Sequence, residues 1–361
     1  MSDYDKQHTR RNPRTALDST RRHEPVRPDD LELTRPAPRV ERPPAPPPTE
    51  PAQLTRSIRR YERRRKRAGC LGCAFRVILA SVVFVAASTT LAVILYVLAP
   101  PPRTNILLLG LDARPGEGMV TRTDTLILIT VDPSQPYVGM LSIPRDLYID
   151  IPGYGYNRIN AAHVFGENGG KRQGPALVAQ TIEANFGIPV HRVVRMNFEG
   201  FVAIIDAAGG VTIDVPYSFI DYEYPTSNYG IMTVSFDAGV QHMNGERALQ
   251  YARIRHGSSD FERAARQQQV IEALARQLLT PSNWGHWPGV YAAYVQHVDS
   301  DLTILDMAAL APTVLMTGPS NIDRRVLDRG YVTGMQTAAG ASVQQPQWDR
   351  INPLLDEMFF R

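Results

Sequence analysis

Cysteine is nearly absent from this chain. Among 361 residues only Cys70 and Cys73 occur, and none lies beyond the one long apolar run, so a disulfide scaffold is excluded. A lone C-x-x-C is a weak metal motif; thiols flanking an apolar segment, or an acylation site, are the plainer reading. Absent too are H-E-x-x-H, G-x-S-x-G and a Walker loop, so zinc-protease, serine-hydrolase and P-loop chemistry lack their residues. Gly209-Gly210 is no phosphate loop, because a strand pattern rather than a helix follows it. Large aliphatic side chains are scarce over the first 55 or so residues, which carry the run Pro43-Pro44-Ala45-Pro46-Pro47-Pro48. Such a segment buries too little surface to offset its ordering entropy, and 1–69 is expected to be a disordered tail rich in Pro and Arg.

Charge is unevenly divided. Residues 1–102 hold 19 Lys and Arg against 10 Asp and Glu, and 103–361 hold 20 against 26, a split of +9 and −6. The basic half is the tail. A nucleic-acid partner needs a basic folded face, so none is expected. From Val77 to Leu98 the chain is apolar and uncharged, long enough to cross hydrocarbon. The arginine-rich segment 56–69 precedes it, which puts the N-terminus in the cytoplasm by the positive-inside rule. The exit Ala99-Pro100-Pro101-Pro102 lacks a small-x-small cleavage site. The expected topology is a single-pass type II anchor, with 103–361 outside the cytoplasm.

Beyond the span, NILLLGLD (105–112), TDTLILITVD (123–132) and VGMLSIPRDLYIDIPG (138–153) read as strands covered on both faces. Helical spacing marks 174–187, with Leu177, Ile182 and Phe186 on one stripe. Residues 190–198 read as a strand, 199–210 as a helix stopped by glycine and 211–215 as a strand. Residues 217–240 read as a hairpin excursion, and 244–255, 261–279 and about 304–316 as helices. The alternation predicts an α/β fold: a layered α-β-α domain with a central mixed sheet. No appended C-terminal domain is expected.

Polar residues collect at the ends of these segments. Asp112 closes the first strand and Asp124 opens the second, and ligands of α/β sheets gather at strand ends. A surface-loop reading of either aspartate, or of Arg145 after Pro144, stands beside a functional one. Arg253 and Arg255 are two apart, so they share a ligand only if the helix ends there; Asp260 is expected to cap the next helix. Arg263 and Gln267 are i and i+4 and share a face. Paired carboxylates suit a hard divalent cation, and clustered arginines suit phosphate oxygens.

In this order and spacing, NILLLGLDAR, TRTDTLILITVD, SIPRDLYIDIPG, RINAAHVFG, IIDAAGGVTIDVP and NGERALQYARIRHGSSDFERAARQQQVI resemble the LytR-CpsA-Psr family of cell-wall proteins over about 104–280. The resemblance implies a phosphotransferase that moves a glycopolymer from a polyprenyl-pyrophosphate carrier to peptidoglycan, leaving a phosphodiester. Carried over motif by motif, it implies Mg2+ on Asp112 and Asp124, pyrophosphate contacts from Arg145, Arg253, Arg255, Arg263 and Gln267, and catalytic roles for Arg145, Arg253, Arg255 and Asp260. Asp260 or Asp146 is the implied proton acceptor. His163 departs from the pattern, standing where an aromatic residue is common. The lipid chain is expected against the helices 174–187 and 261–279. A polyprenyl-pyrophosphate pyrophosphatase and a non-catalytic regulator that binds lipid-linked glycan remain alternatives.

The topology gives a direct test. A reporter fused after Arg361 is expected to be active only outside the cytoplasm; activity inside would overturn the orientation.

Overall fold

In the computed structural model the described residues are 44, 51–112, 120–170, 172–226, 230–255 and 259–360, with only the helical backbone described for 51–71. Two compact units are present, 1–80 and 81–361. The helix α1 runs Pro51–Leu98, and Gly72–Leu98 within it is apolar enough to cross a membrane. Residues 51–69, expected to be disordered, are thus helical. No Gly or Pro interrupts Ala52–Ala68, and its Arg, Lys, Glu and Ala residues are strong helix formers that extend a helix already nucleated. The rest of the expected tail lies outside the described residues, apart from Pro44.

The elements that follow are β1 (Thr104–Leu111), β2 (Thr123–Asp132), β3 (Tyr137–Ser142), β4 (Tyr148–Ile151), β5 (Gly155–Arg158), α2 (Ala161–Gly169), α3 (Gln173–Phe186), β6 (Arg192–Met196), α4 (Phe198–Ala207) and β7 (Val211–Val215). Next come β8 (Phe219–Pro225), β9 (Ile231–Phe236), β10 (Gly239–Met243), α5 (Gly245–Arg253), α6 (Asp260–Leu279), α7 (Trp287–His297) and β11 (Val298–Ser300). The chain closes with α8 (Ile304–Thr317), β12 (Asp323–Val326), β13 (Val332–Gln336), β14 (Ser342–Pro346) and α9 (Trp348–Phe359).

Six strands form one mixed sheet in the order β11-β6-β1-β2-β3-β12. β2 is antiparallel to both β1 and β3, while β1 runs parallel to β6 and β3 to β12. The strand expected over 138–153 is broken in two, because Pro144 supplies no donor to the ladder. β7 leaves the main sheet and pairs with β10.

Strand alternation sorts side chains onto two faces. Leu107, Leu109, Leu126, Leu128 and Leu141 pack with Val178 and Ile182 of α3 and with Ile351 and Leu355 of α9. Ile106, Val131, Val138 and Val194 pack under Leu310 of α8 on the opposite face. Helix α4 ends at a double glycine with φ +80° and +86°. A Cβ on Gly210 would lie 2.6 Å from the His242 ring and 2.8 Å from the Met243 carbonyl, so only glycine fits both the dihedral and the space.

One buried polar network ties the sheet edge to α2. His163 is fully buried. Its Nδ1 lies 2.7 Å from the Thr121 carbonyl, which can only accept, so Nδ1 carries the proton. Nε2 is then the acceptor for Arg195 Nη1 at 3.1 Å. Arg195 in turn bonds Glu167 at 2.7 Å and pairs with Asp299 of β11. Burial foremost, and the Arg195 charge, hold the His163 pKa below its ordinary 6.5 against the pull of Thr121 and Glu167.

A group whose folded pKa is depressed stabilises the fold above its unfolded pKa and loses that contribution as pH falls. Stability is therefore expected to drop below about pH 6.5, with a slope of up to about 1.4 kcal/mol per pH unit for this one proton. His163→Gln keeps a donor and an acceptor but does not titrate. Its melting temperature is expected to be flatter from pH 7.5 to 5 than that of the wild type; an unchanged slope would place the effect elsewhere.

Candidate functional site

The antiparallel register brings the two aspartates to one place. Leu111 of β1 pairs with Thr123 of β2, so Asp112 and Asp124 stand at the same end of the sheet although the connection between them, 113–119, lies outside the described residues. That placement could not be read from a 12-residue separation.

Arg145 leaves the end of β3 and reaches Asp124 at 2.9 Å and Asp260 at 3.5 Å. Burial works against its charge. The Asp124 ion pair and hydrogen bond, helped by Asp260 and Asp146, outweigh it and raise its pKa above the ordinary value.

Helix α5 stops at Arg253, because Ile254 turns to an extended ψ of 134°. Ile254 is buried and its carbonyl accepts from Arg266 at 2.6 Å. That break lets Arg253 and Arg255 serve one cleft. The Arg253 guanidinium lies 4.0 Å above the Phe198 ring, donates to the Tyr224 hydroxyl at 3.2 Å and sits 3.7 Å from Asp112. Arg255 is 3.4 Å from Asp124, and its backbone N–H donates to Asp221 at 3.1 Å. Of the segment expected to end the helix, His256, Gly257 and Ser258 lie outside the described residues.

Helix α6 is capped by Ser259, which forms a reciprocal capping box with Glu262, not by Asp260 as the sequence suggests. Serine at the cap with glutamate at N3 satisfies two orphan donors at once. Asp260 is thereby left at the first helical position, facing Arg145 and Arg263.

Arg263 is 5% exposed. Its Nη1 is 3.1 Å from Asp260 but, among the described residues, lacks a partner with hydrogen-bond alignment. Burial first, then crowding by Arg255 and Arg145, pushes its pKa down to about 10 against the pull of Asp260 and Asp124. A desolvated guanidinium among like charges favours an additional anion. Gln267, one turn on, lies beside it with its amide 3.4 Å from the Ala252 carbonyl.

Two cavities meet at this cluster. An apolar one of about 200 Å³ is walled by Phe201 and Ile205 of α4, Leu249 of α5, and Val270, Ile271 and Leu274 of α6, over Leu108 and Ile127 of the sheet. A polar one adjoins it, bordered by Arg122, Arg145, Asp146, Arg158 and Asn160. Asp112, Asp124 and Arg255 border both. Helix α3 was expected to wall the apolar groove but does not. Its apolar stripe is spent on the opposite face of the sheet, and α4 and α5 take its place beside α6.

All nine residues that the resemblance places in the site, Asp146 included, border these cavities or the small cleft beside them. Arg122, Arg158 and Phe198 were missed. Arg122 is two residues before Asp124, a spacing that puts both on one side of an extended chain. Arg158 donates to the Ser342 carbonyl of β14 at 2.6 Å, a contact without local signal.

Known proteins share this arrangement. Residues 99–359 match the LytR_cpsA_psr family. A polyisoprenyl-teichoic acid–peptidoglycan teichoic acid transferase, TagU, of Oceanobacillus iheyensis is 43% identical over 171 residues, 47% of this chain and 49% of that protein. The TagT protein of Bacillus subtilis, with the same descriptive name, is 31% identical over 213 residues, 58% of this chain and 63% of that one. The chain thus spans from about half to under two thirds of the length of these relatives. Among solved structures, B. subtilis TagV superposes with a TM-score of 0.58 at 27% identity, covering 72% of this chain and 98% of that one. TagT bound to LIIa-WTA gives 0.57 at 26%, covering 72% and 92%. With the family match extending over most of the chain, from the end of the apolar helix through α9, this protein belongs to the LytR_cpsA_psr family.

Proposed function

We propose that this protein is a membrane-anchored phosphotransferase that moves a glycopolymer from a polyprenyl-pyrophosphate carrier to peptidoglycan through a phosphodiester bond. Its α1 helix would be the type II anchor, with the α/β domain outside the cytoplasm. The observation that carries the reading is the junction of an apolar cavity with a polar, arginine-lined one at Asp112, Asp124 and Arg255. A lipid pyrophosphate has the same division: an apolar chain, two phosphates, then sugars. The names of the TagU and TagT relatives carry a polyisoprenyl-linked teichoic acid and peptidoglycan, which supports a lipid-linked glycopolymer donor and a peptidoglycan acceptor.

Phosphoryl transfer is mainly positioning and charge stabilisation. In the proposed reaction an acceptor hydroxyl attacks the glycan-bearing phosphorus. The P–O bond toward the lipid phosphate breaks, polyprenyl phosphate departs, and the hydroxyl proton passes to a carboxylate. Arg253 and Arg255 would hold the pyrophosphate from the α5 end, and Arg145 and Arg263 from the other side. Gln267 would orient a phosphate oxygen. Asp260, 42% exposed and adjacent to Arg145 and Arg263, and Asp146, on the polar side, are the candidate proton acceptors. The polar cavity with Arg122, Arg158 and Asn160 offers room for a sugar acceptor, which favours transfer over hydrolysis by water.

Asp112 and Asp124 fit a magnesium ion. They are hard oxygen donors bordering one cleft, each paired there with an arginine that substrate phosphates would draw away. An ion there would rest on two carboxylates and substrate oxygens, the pattern magnesium favours. Bound, it would supply Lewis-acid polarisation of the pyrophosphate oxygens.

The full-length protein, a synthetic polyprenyl-pyrophosphate glycan, magnesium and peptidoglycan fragments are expected to yield a phosphodiester-linked product. Free glycan phosphate alone would instead identify a pyrophosphatase. Arg255→Lys keeps the charge but loses the bidentate fork. Its transfer rate is expected to fall about 10²-fold, roughly 3 kcal/mol, with a much smaller change in lipid affinity. A near-wild-type rate would remove Arg255 from the reaction. Asp124→Ala and chelator treatment are each expected to abolish transfer, and full activity in chelator would reject the metal.

A further inference from the structure

The surface formed by α7, the turn before it and α8 is left uncovered and apolar. From Gln277 to Val298 the sequence has no Asp, Glu, Lys or Arg. Trp284 is 55% exposed, Trp287 45% and Val295 62%, and on α8 Leu305 is 77%, Leu315 51% and Met316 55% exposed. These are not scattered side chains. Trp287 and Val295 are eight apart and share a helix face, while the buried Leu310, Thr313 and Thr317 of α8 occupy the face opposite its exposed stripe. The one carboxylate of α8, Asp306, is engaged by Arg192 at 2.9 Å and by its own cap residue Thr303. Exposed apolar side chains concentrated on two charge-poor elements mark an interaction face.

Chain connectivity keeps α8 close to the membrane-spanning helix. Only Ala99–Arg103 separate the end of the apolar helix from β1, a reach of no more than about 20 Å even fully extended. Arg103 is fixed to Asp132 at 3.1 Å. At the exit, the Tyr96 hydroxyl lies 2.5 Å from Thr313 Oγ1 of α8. Helix α8 is therefore held against the last turn of the helix that crosses the membrane. Tryptophan beside a charge-free surface is the composition that seats at a lipid headgroup boundary. The turn before α7 and the start of α7 also pack on the ends of α4 and α6, two of the helices that wall the apolar cavity. His286 Nδ1 is 3.2 Å from the Ala207 carbonyl at the end of α4, and Trp287 Nε1 donates to Leu278 of α6 at 2.9 Å.

We propose that the α7–α8 face lies on the outer leaflet of the bilayer, with Trp284 and Trp287 at the headgroup boundary. This rests on the membrane-anchored reading above, and its test is independent of transfer activity.

The chain has three tryptophans, and the third, Trp348, packs against Phe186 on the other side of the sheet. In full-length protein reconstituted into phosphatidylcholine vesicles, brominated lipid is expected to quench about half or more of the tryptophan emission. In W284F/W287F the remaining emission is expected to be unquenched. Wild-type emission untouched by brominated lipid would overturn the proposal. So would emission shielded from aqueous acrylamide without lipid quenching, the signature of a second copy covering the face. Quenching that persists in W284F/W287F would also overturn it, because the domain would then lie on its α9 side. Protein that fails to float with the vesicles would remove the anchor itself, whatever its transfer activity.

Discussion

Like charges held together in one cleft are the constraint on which the site depends. Six arginines, at 122, 145, 158, 253, 255 and 263, and four aspartates, at 112, 124, 146 and 260, border the cavities among the described residues. The cleft is net positive inside a domain whose sequence is net negative. Without a ligand, the aspartates partly neutralise guanidinium groups that would otherwise repel one another. Arg263 shows what remains: it is buried, its proton is held less tightly than usual and its Nη1 lacks an aligned acceptor among the described residues. Such frustration costs stability, and it favours an incoming anion in its place.

The scaffold sustains that arrangement by fixing each arginine from a different element. Arg145 comes from the end of β3, Arg253 and Arg255 from the break after α5, and Arg263 from the capped start of α6. The Phe198 ring and Tyr224 hydroxyl hold Arg253, so its orientation does not depend on a ligand. Carbonyl acceptance by Ile254 from Arg266 fixes the break itself. The apolar cavity begins directly below, which lowers the local dielectric and strengthens each charge interaction at its mouth.

The strands were legible because both sheet faces are covered, leaving near-continuous apolar runs such as TDTLILITVD. The helices after 244 were legible from their spacing and their polar starts. The candidate site residues were legible from motif resemblance more than from physics, since a lone aspartate at a strand end reads equally well as surface. Less was legible where structure arises from distant contacts. The C-terminal strands β12 to β14 are short and polar; β12 pairs because the β3 edge awaits it, and β13 and β14 pair with each other. Helix α3 has the stripe of a groove wall, yet which side of the sheet it covers is not encoded in that stripe.

By itself the sequence determined the apolar span, the basic tail, the α/β alternation and the set of charged residues available for phosphate chemistry. These follow from local composition and periodicity, which need no partner to be read. Only the tertiary structure decided that Asp112 and Asp124 border one cleft, that Ser259 rather than Asp260 caps α6, that α4 and α5 wall the apolar cavity, and that His163 is a buried neutral acceptor for Arg195. Each of those depends on which segments lie side by side. Register and packing choose that through interactions between residues tens of positions apart, on which local spacing has no hold.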